Sequence, residues 1–307
     1  MPTLKQLRYL VAIAETRHFR RAAEKVHISQ PTLSGQLREL EHRLGVQLVE
    51  RSRASVVLTP LGKEVAGRAR AVLRDVEDII ELARHGQSVL GGTVRLGVPP
   101  TLGPYLLPHI VPELHRSHPA LKLYVREELP RSILGNLEDG NLDVLFMPLP
   151  IKGADFRIVR LFRELLLIVA PVDHRIAAKN VADRTDLKGE TVLSLERGHR
   201  LHDQVRALCQ EYGANLALDY EGTSLDTLRQ MVGMGMGISF MPALYVKSEV
   251  AKDSRAVVAR SLRSRCPSRT VGMVWRRHSA RHEEFLQLAE LVRAILRRSV
   301  PEVAVMS

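Results

Sequence analysis

The stretch from Phe19 to Gly45 constrains this chain more than any other. Phe19, Ala22, Ala23 and Val26 repeat at helical spacing, and the two alanines leave room for a second helix to approach closely. A tight break follows at His27–Ile28. Ser29 is placed to cap a new helix, and Pro31 suits its first turn. Leu33, Leu37, Leu40 and Leu44 then form a buried stripe. The other face shows Gln30, Thr32, Ser34, Gln36 and Arg38. Short hydrogen-bonding side chains with one cation suit base edges and phosphates in a major groove. An earlier helix over Leu4–Thr16, with Leu7, Leu10, Val11 and Ala14 on its apolar face, completes a helix-turn-helix.

Gly45 ends the third helix. Leu48–Glu50 and Val56–Leu58 read as a two-stranded wing with arginines between them, so Arg51 and Arg53 are candidates for phosphate or minor-groove contact. Arg20 and Pro31 belong with the same DNA-facing set. Thr59-Pro60 starts a long helix. Its apolar residues Leu61, Val65, Val72, Val76, Ile79 and Ala83 recur at mostly heptad-like steps among charges. A lone helix with one apolar seam needs a partner, and a homodimer would present two recognition helices to a two-fold operator in double-stranded DNA. Gly91-Gly92 then breaks the chain.

Charge supports this division. The chain has 307 residues and a net charge of +11. Residues 1–53 carry ten Lys/Arg against five acids, 91–254 carry nineteen against twenty, and 255–298 carry eleven arginines against three acids. A basic head points to a polyanion. The arginines near the C-terminus fit either a solvated face or a partner. Two cysteines, Cys209 and Cys266, exclude a disulfide framework and a four-cysteine zinc site. The longest apolar run, Leu165–Val172, is far too short to span a bilayer, so a cytosolic protein without membrane attachment is expected.

From residue 91 on, strand and helix signals alternate. Strands are expected at Thr93–Val98, Leu121–Glu127, Asp143–Met147, Leu165–Ala170, Thr191–Leu195, Leu216–Glu221, Ile238–Phe240, Val257–Arg260 and Thr270–Trp275. Helices are expected near Pro104–His118, Ser132–Glu138, Leu201–Tyr212, Leu225–Met234 and His282–Arg298. The pattern predicts a mainly parallel α/β body in two lobes with a cleft between them. Gly233-Met-Gly-Met-Gly237 follows a helix and precedes a strand, the reverse of the order that phosphate binding needs. His199 and His202 lack a carboxylate at zinc-like spacing, and no nucleophile elbow or P-loop is present. No cofactor and no enzymatic activity are implied.

The segment FRRAAEKVHISQPTLSGQLRELEHRLG resembles the N-terminal domain of LysR-type transcriptional regulators. The likeness runs along nearly the whole chain. RHFRRAAEKVHISQPTLSGQ, PTLGPYLLPHIVPELH, LERGHRLHDQ and TSLDTLRQMV resemble the peroxide-responsive subgroup of that family in particular. The resemblance implies a winged helix-turn-helix over 1–58, a linker helix over 59–90, and a periplasmic-binding-protein-like effector domain over 91–307. Its first lobe would hold about 91–164 plus 269–307, its second about 165–268. It also implies a homotetramer built from homodimers, and contact with RNA polymerase if the protein activates.

Two positions depart from the subgroup. The reactive cysteine of its Gly-His-Cys motif is replaced here: Gly198-His199 is followed by Arg200, although Cys209 stands where the resolving cysteine belongs. A threonine used near the peroxide falls at Pro130, while Thr101 and His199 match. A guanidinium cannot form a sulfenic acid. Its planar fork suits a carboxylate, so a small anionic effector is expected near Thr101, Leu102, Pro130, Arg131, His199, Arg200, Asp203 and Thr223. The alternatives are that Arg200 pairs with Asp203 or Glu196, or that Cys209 and Cys266 form a thiol switch. Cys209 otherwise reads as a small buried hydrophobe. Cys266, among Arg263, Arg265 and Arg269, reads as the more reactive thiol.

Overall fold

The computed structural model describes residues 1–306 apart from 52–55, 86–89, 152, 154, 253–254 and 264–265; the side chains of 51, 77–78, 81–85 and 220–221 also lie outside the description. The packing divides the chain into two units. One is Met1–Val89 with Gly135–Leu142; the other is Leu90–Leu134 with Asp143–Ser307.

In the first unit, helix α1 (Leu4–Thr16) starts at a capping box between Thr3 and Gln6. Helices α2 (Phe19–Lys25) and α3 (Gln30–Leu44) are joined by a turn in which His27 takes a φ of 56°. Ser29 caps α3 by accepting the Thr32 amide at 3.3 Å, and Gly45 closes it in the left-handed region. Leu33, Leu37 and Leu40 are buried as expected, but Leu44 is exposed: it is the last helical residue, and the chain turns away at Gly45. The α1 face is also broader than expected. Leu10 is fully buried, Leu7, Val11 and Ala14 are half-buried, and Gln6, Ala12 and Ile13 are buried too. The reason is that α1 packs on several sides, against α2, α3 and the long helix α4 (Pro60–His85).

Strands β1 (Val49–Arg51) and β2 (Val56–Leu58) pair antiparallel as the wing. Thr59 caps α4 by accepting the Gly62 amide at 2.9 Å. Gly62 is obligatory there, because a Cβ would lie 1.9 Å from the Leu48 carbonyl oxygen. Ala66 and Ala69 continue this small-residue face and are buried, whereas Leu61, Val72 and Ile79 are exposed, Ile79 at 62%. Val65 and Val76 are half-buried, and the Ala83 side chain lies outside the described residues.

The second unit is built on a nine-stranded sheet. Its elements run β3 (Gly92–Val98), α5 (Gly103–Ser117), β4 (Leu121–Glu127), α6 (Pro130–Glu138), β5 (Val144–Pro148), β6 (Phe156–Pro171), β7 (Val181–Ala182), β8 (Thr191–Leu195), α7 (Arg200–Tyr212), β9 (Asn215–Gly222), α8 (Leu225–Gly233), β10 (Ser239–Pro242), α9 (Ala243–Tyr245), β11 (Val257–Leu262), β12 (Ser268–Arg276), α10 (His282–Ser299) and β13 (Val303–Val305). The strand order is β4-β3-β5-β12-β6-β11-β7, with β10 and β13 also on β6, while β8 and β9 form a separate pair.

The sheet is mixed rather than mainly parallel. β3 runs parallel to β4 and β5, and β11 to β7, but β12 is antiparallel to β5 and β6, as are β10, β11 and β13 to β6. The cause is β6, 16 residues long, which pairs with β12 along its first half and with β10 and β11 along its second. Only Leu165–Ala170 of it reads as a strand in sequence, because Arg157, Arg160 and Arg163 interrupt the apolar pattern earlier. Leu165 itself is 37% exposed, so that run is not buried on both faces throughout. The two crossovers, β6 and β12, join two lobes: one carries β3, β4, β5, α5 and α6, the other β8, β9, α7 and α8. Among the described residues, no helix is long and apolar enough to cross a membrane.

Candidate functional site

Two sites emerge, one in each unit. On the outward face of α3, Gln30, Pro31, Thr32 and Arg38 are exposed, and Ser34 and Gln36 are half-buried. The cap at Ser29 holds the first turn rigid and leaves its polar side chains outermost. Glu41 ties the same helix to the wing, its carboxylate accepting the Leu48 and Val49 amides at 2.8 and 3.1 Å. Arg20, on α2, is engaged in an exposed ion pair with Glu24 at 3.1 Å. Arg51 stands at the end of β1; its side chain, and Arg53 entirely, lie outside the described residues.

In the second unit a cavity of about 640 Å³ opens between the lobes. One set of lining residues comes from α6 and the end of β5: Pro130, Arg131, Leu134, Met147, Pro150 and Ile151. The other comes from the segment around α7 and from β9: Arg197, Gly198, Arg200, His202, Asp203, Arg206, Leu216, Ala217 and Leu218. The partly apolar lining thus holds four arginines and one aspartate. The Arg200 guanidinium donates to the Pro150 carbonyl. Of the carboxylates weighed as its partners, Asp203 lies 3.8 Å from Arg206 and Glu196 lies 3.9 Å from His199 Nε2. His202 holds Nδ1 2.8 Å from the Leu195 carbonyl, which it meets by donating.

The eight residues expected around an effector do not all converge. Pro130, Arg131, Arg200 and Asp203 line the cavity; Thr101, Leu102, His199 and Thr223 do not. Leu102 is fully buried in the core, and Thr223 is exposed beside the cap of α8. Thr101 is drawn inward by Arg269, which donates from Nη1 to its hydroxyl at 3.2 Å and from Nη2 to its carbonyl at 2.9 Å. Arg269 in turn donates from Nε to Glu164 at 2.7 Å, and both partners are almost fully buried. His199 is buried with Nδ1 unpartnered, and burial holds its imidazole below the ordinary histidine value, against the opposing pull of Glu196. Neither Arg197 nor Arg206 was singled out in sequence. Each is near Arg200 in the chain, which was the available signal.

The two cysteines sit in different surroundings. Burial pushes the Cys209 thiol up to about 11, away from the reactive thiolate. Cys266 is half-buried with Sγ 3.9 Å from the Leu166 carbonyl, and both thiols are free. The arginines expected to activate Cys266 turn away: Arg269 to Glu164, and Arg263 to Asp183 at 3.0 Å. Arg265 lies outside the described residues. Much of the C-terminal arginine excess is consumed inside the fold. Arg260 bonds the Ala177 carbonyl at 2.6 Å and Arg293 bonds the Arg160 carbonyl, whereas Arg298 pairs with Glu113 at 3.1 Å on the surface. Arg281 reaches the Gly91 and Thr93 carbonyls at 3.0 and 2.9 Å and pairs with Glu284.

Comparison with known proteins gives a family for each unit. Residues 4–63 match the family of bacterial regulatory helix-turn-helix proteins of the lysR type, and residues 87–297 match the LysR substrate binding domain. The DNA-binding transcriptional dual regulator OxyR of Escherichia coli K12 is 43% identical over 291 residues, covering 95% of each chain. The regulator EstR of Acinetobacter baylyi is 32% identical over 295 residues, covering 96% of this chain and 97% of its own. A full-length OxyR variant from Pseudomonas aeruginosa superposes with a TM-score of 0.79 at 36% identity, covering 95% of this chain and 98% of its own. These relatives are regulators of transcription rather than enzymes. With a winged helix-turn-helix head and a two-lobed body matched along almost their whole length, the chain belongs to the LysR family of DNA-binding transcriptional regulators.

Proposed function

We propose that the operator binding of this regulator is controlled by a small anionic effector, a carboxylate in the simplest case, held in the interlobe cavity. The observation that carries the reading is Arg200, which lines that cavity together with Arg131, Arg197 and Arg206 against Asp203 alone. A planar guanidinium gives a carboxylate two parallel donors. The reading divides the chain into a DNA-binding head over 1–58, a dimerising linker over 59–90 and an effector domain over 91–307. Gln30, Pro31, Thr32, Ser34, Gln36 and Arg38 contact the operator, with Arg20, Arg51 and Arg53 on its phosphates. The exposed Leu61, Val72 and Ile79 form the seam that brings two heads to a two-fold site, and pairs of dimers form a tetramer.

The test is a gel shift on the promoter upstream of the chain's own gene, repeated across salt concentrations and with small organic acids. An acid should alter the shift of wild type and leave Arg200→Ala unresponsive. A response that survives in Arg200→Ala overturns the reading.

A peroxide response is the second reading, favoured by relatives described as hydrogen peroxide-inducible genes activators, such as that of Haemophilus influenzae at 37% identity. It would have to run through Cys209 or Cys266. Hydrogen peroxide should leave the gel shift of wild type and of Cys209→Ser alike. A peroxide response lost in that variant, or in Cys266→Ser, would establish the thiol mechanism instead.

A further inference from the structure

The cavity specifies more than a negative charge. Its two sets of lining residues each include an arginine in the first turn of a helix. Arg131 is the second residue of α6, and Arg200 is the first residue of α7. Both helices therefore bring the positive ends of their dipoles to the same space. Arg197 and Arg206 strengthen the α7 side. Leu134, Met147 and Ile151 on the Arg131 side and Leu216, Ala217 and Leu218 on the Arg200 side give the same space an apolar lining, which offers nothing to a hydrated ion.

We infer that the effector is a small dicarboxylate, with one carboxylate on the Arg131 side, the other on the Arg200 side and an apolar spacer between. This rests on the reading of the cavity as the effector site and narrows its ligand class. An inorganic anion would answer one arginine and leave the apolar lining wet. A monocarboxylate would leave the opposite arginine with its charge unanswered. A cavity of 640 Å³ is several times larger than a single oxyanion needs and lies in the range of about 300–1,000 Å³ usual for organic ligands. A bridging dianion also supplies what a switch requires. It meets both sets of arginines only when the lobes are close enough, so it binds one arrangement of the lobes better than any other.

The experiment is isothermal titration of the full-length protein with two series of probes. The diacids run from malonate to suberate, and the monoacids from propionate to octanoate, with inorganic phosphate and sulfate alongside. At least one diacid should bind about tenfold or more tightly than the monoacid of the same carbon number and than either inorganic anion. Arg131→Gln should collapse that advantage to within about threefold, and Arg200→Gln should remove binding of both series. Arg131 is exposed, so its variant is not expected to compromise folding, and an unshifted Tm checks this. Equal affinity for the two series, tightest binding by phosphate or sulfate, or a diacid preference intact in Arg131→Gln overturns the dicarboxylate. Failure of every anion to bind overturns the cavity reading itself.

Discussion

Glu164→Ala should be among the most damaging single substitutions in the effector domain. Glu164 is 0% exposed and Arg269 1%. The Glu164 carboxylate accepts from Arg269 Nε at 2.7 Å with one oxygen and from the Leu244 amide at 2.8 Å with the other. Arg269 donates from Nη1 and Nη2 to Thr101. Truncation leaves a buried guanidinium without its counter-charge and a buried amide without an acceptor. Breaking a buried ion pair from one side costs about 3–5 kcal/mol. For a domain of this size each kcal/mol moves the midpoint by about 2–4 °C, so the thermal transition of the effector domain should fall by about 6–20 °C. Circular dichroism of the full-length chain measures it. The cost is mainly that of the orphaned charge. Glu164→Met combined with Arg269→Met should therefore regain much of the loss, short of the Thr101 and Leu244 bonds it also removes. A Glu164→Ala midpoint within about 2 °C of wild type would refute the reasoning, since it would mean that water reaches the pair. A double variant as unstable as the two single losses added together would refute it equally.

Two further outcomes follow from the geometry. Arg281→Ala uncovers the Gly91 and Thr93 carbonyls and should lower the stability of the effector domain by about 2–4 kcal/mol in urea unfolding; Arg281→Lys should recover less than half, because an ammonium cannot fork to both. The Cys209 thiol is raised from 9.0 to about 11, so it stays protonated in the folded chain where the unfolded chain ionises it. Its contribution is therefore complete below pH 9.0 and is lost as pH rises to about 11, amounting to about 2–3 kcal/mol, and the stability gap between wild type and Cys209→Ala should narrow over that window. Rapid alkylation of Cys209 in the native protein near neutral pH would contradict this.

The DNA-binding head was largely legible from residue order, because its signals are local. Ser29, Gly45 and Pro60 act within a turn of where they stand, and the leucine stripe of α3 needs only helical periodicity. The effector site was legible in part. Arg200 and Asp203 share a helix, so finding one located the other, and Arg131 entered through its neighbour Pro130. Thr101 and His199 were placed beside Arg200 by family resemblance, yet neither lines the cavity. Thr101 is held by an arginine 168 positions away, and no periodicity in the chain records that bond.

Sequence alone therefore determined the helix-turn-helix, the capped linker with its one-sided seam, the alternation of strands and helices, and the arginine at position 200. Each depends on backbone geometry and side-chain type over a few residues. Tertiary structure alone decided the directions of β6 and β12, the pairing of Glu164 with Arg269 across 105 positions, and the use of Arg269, Arg281 and Arg293 as internal fasteners. Charges are indistinguishable in sequence until the fold sets which of them lose water. Burial then forces each enclosed guanidinium to find an acceptor.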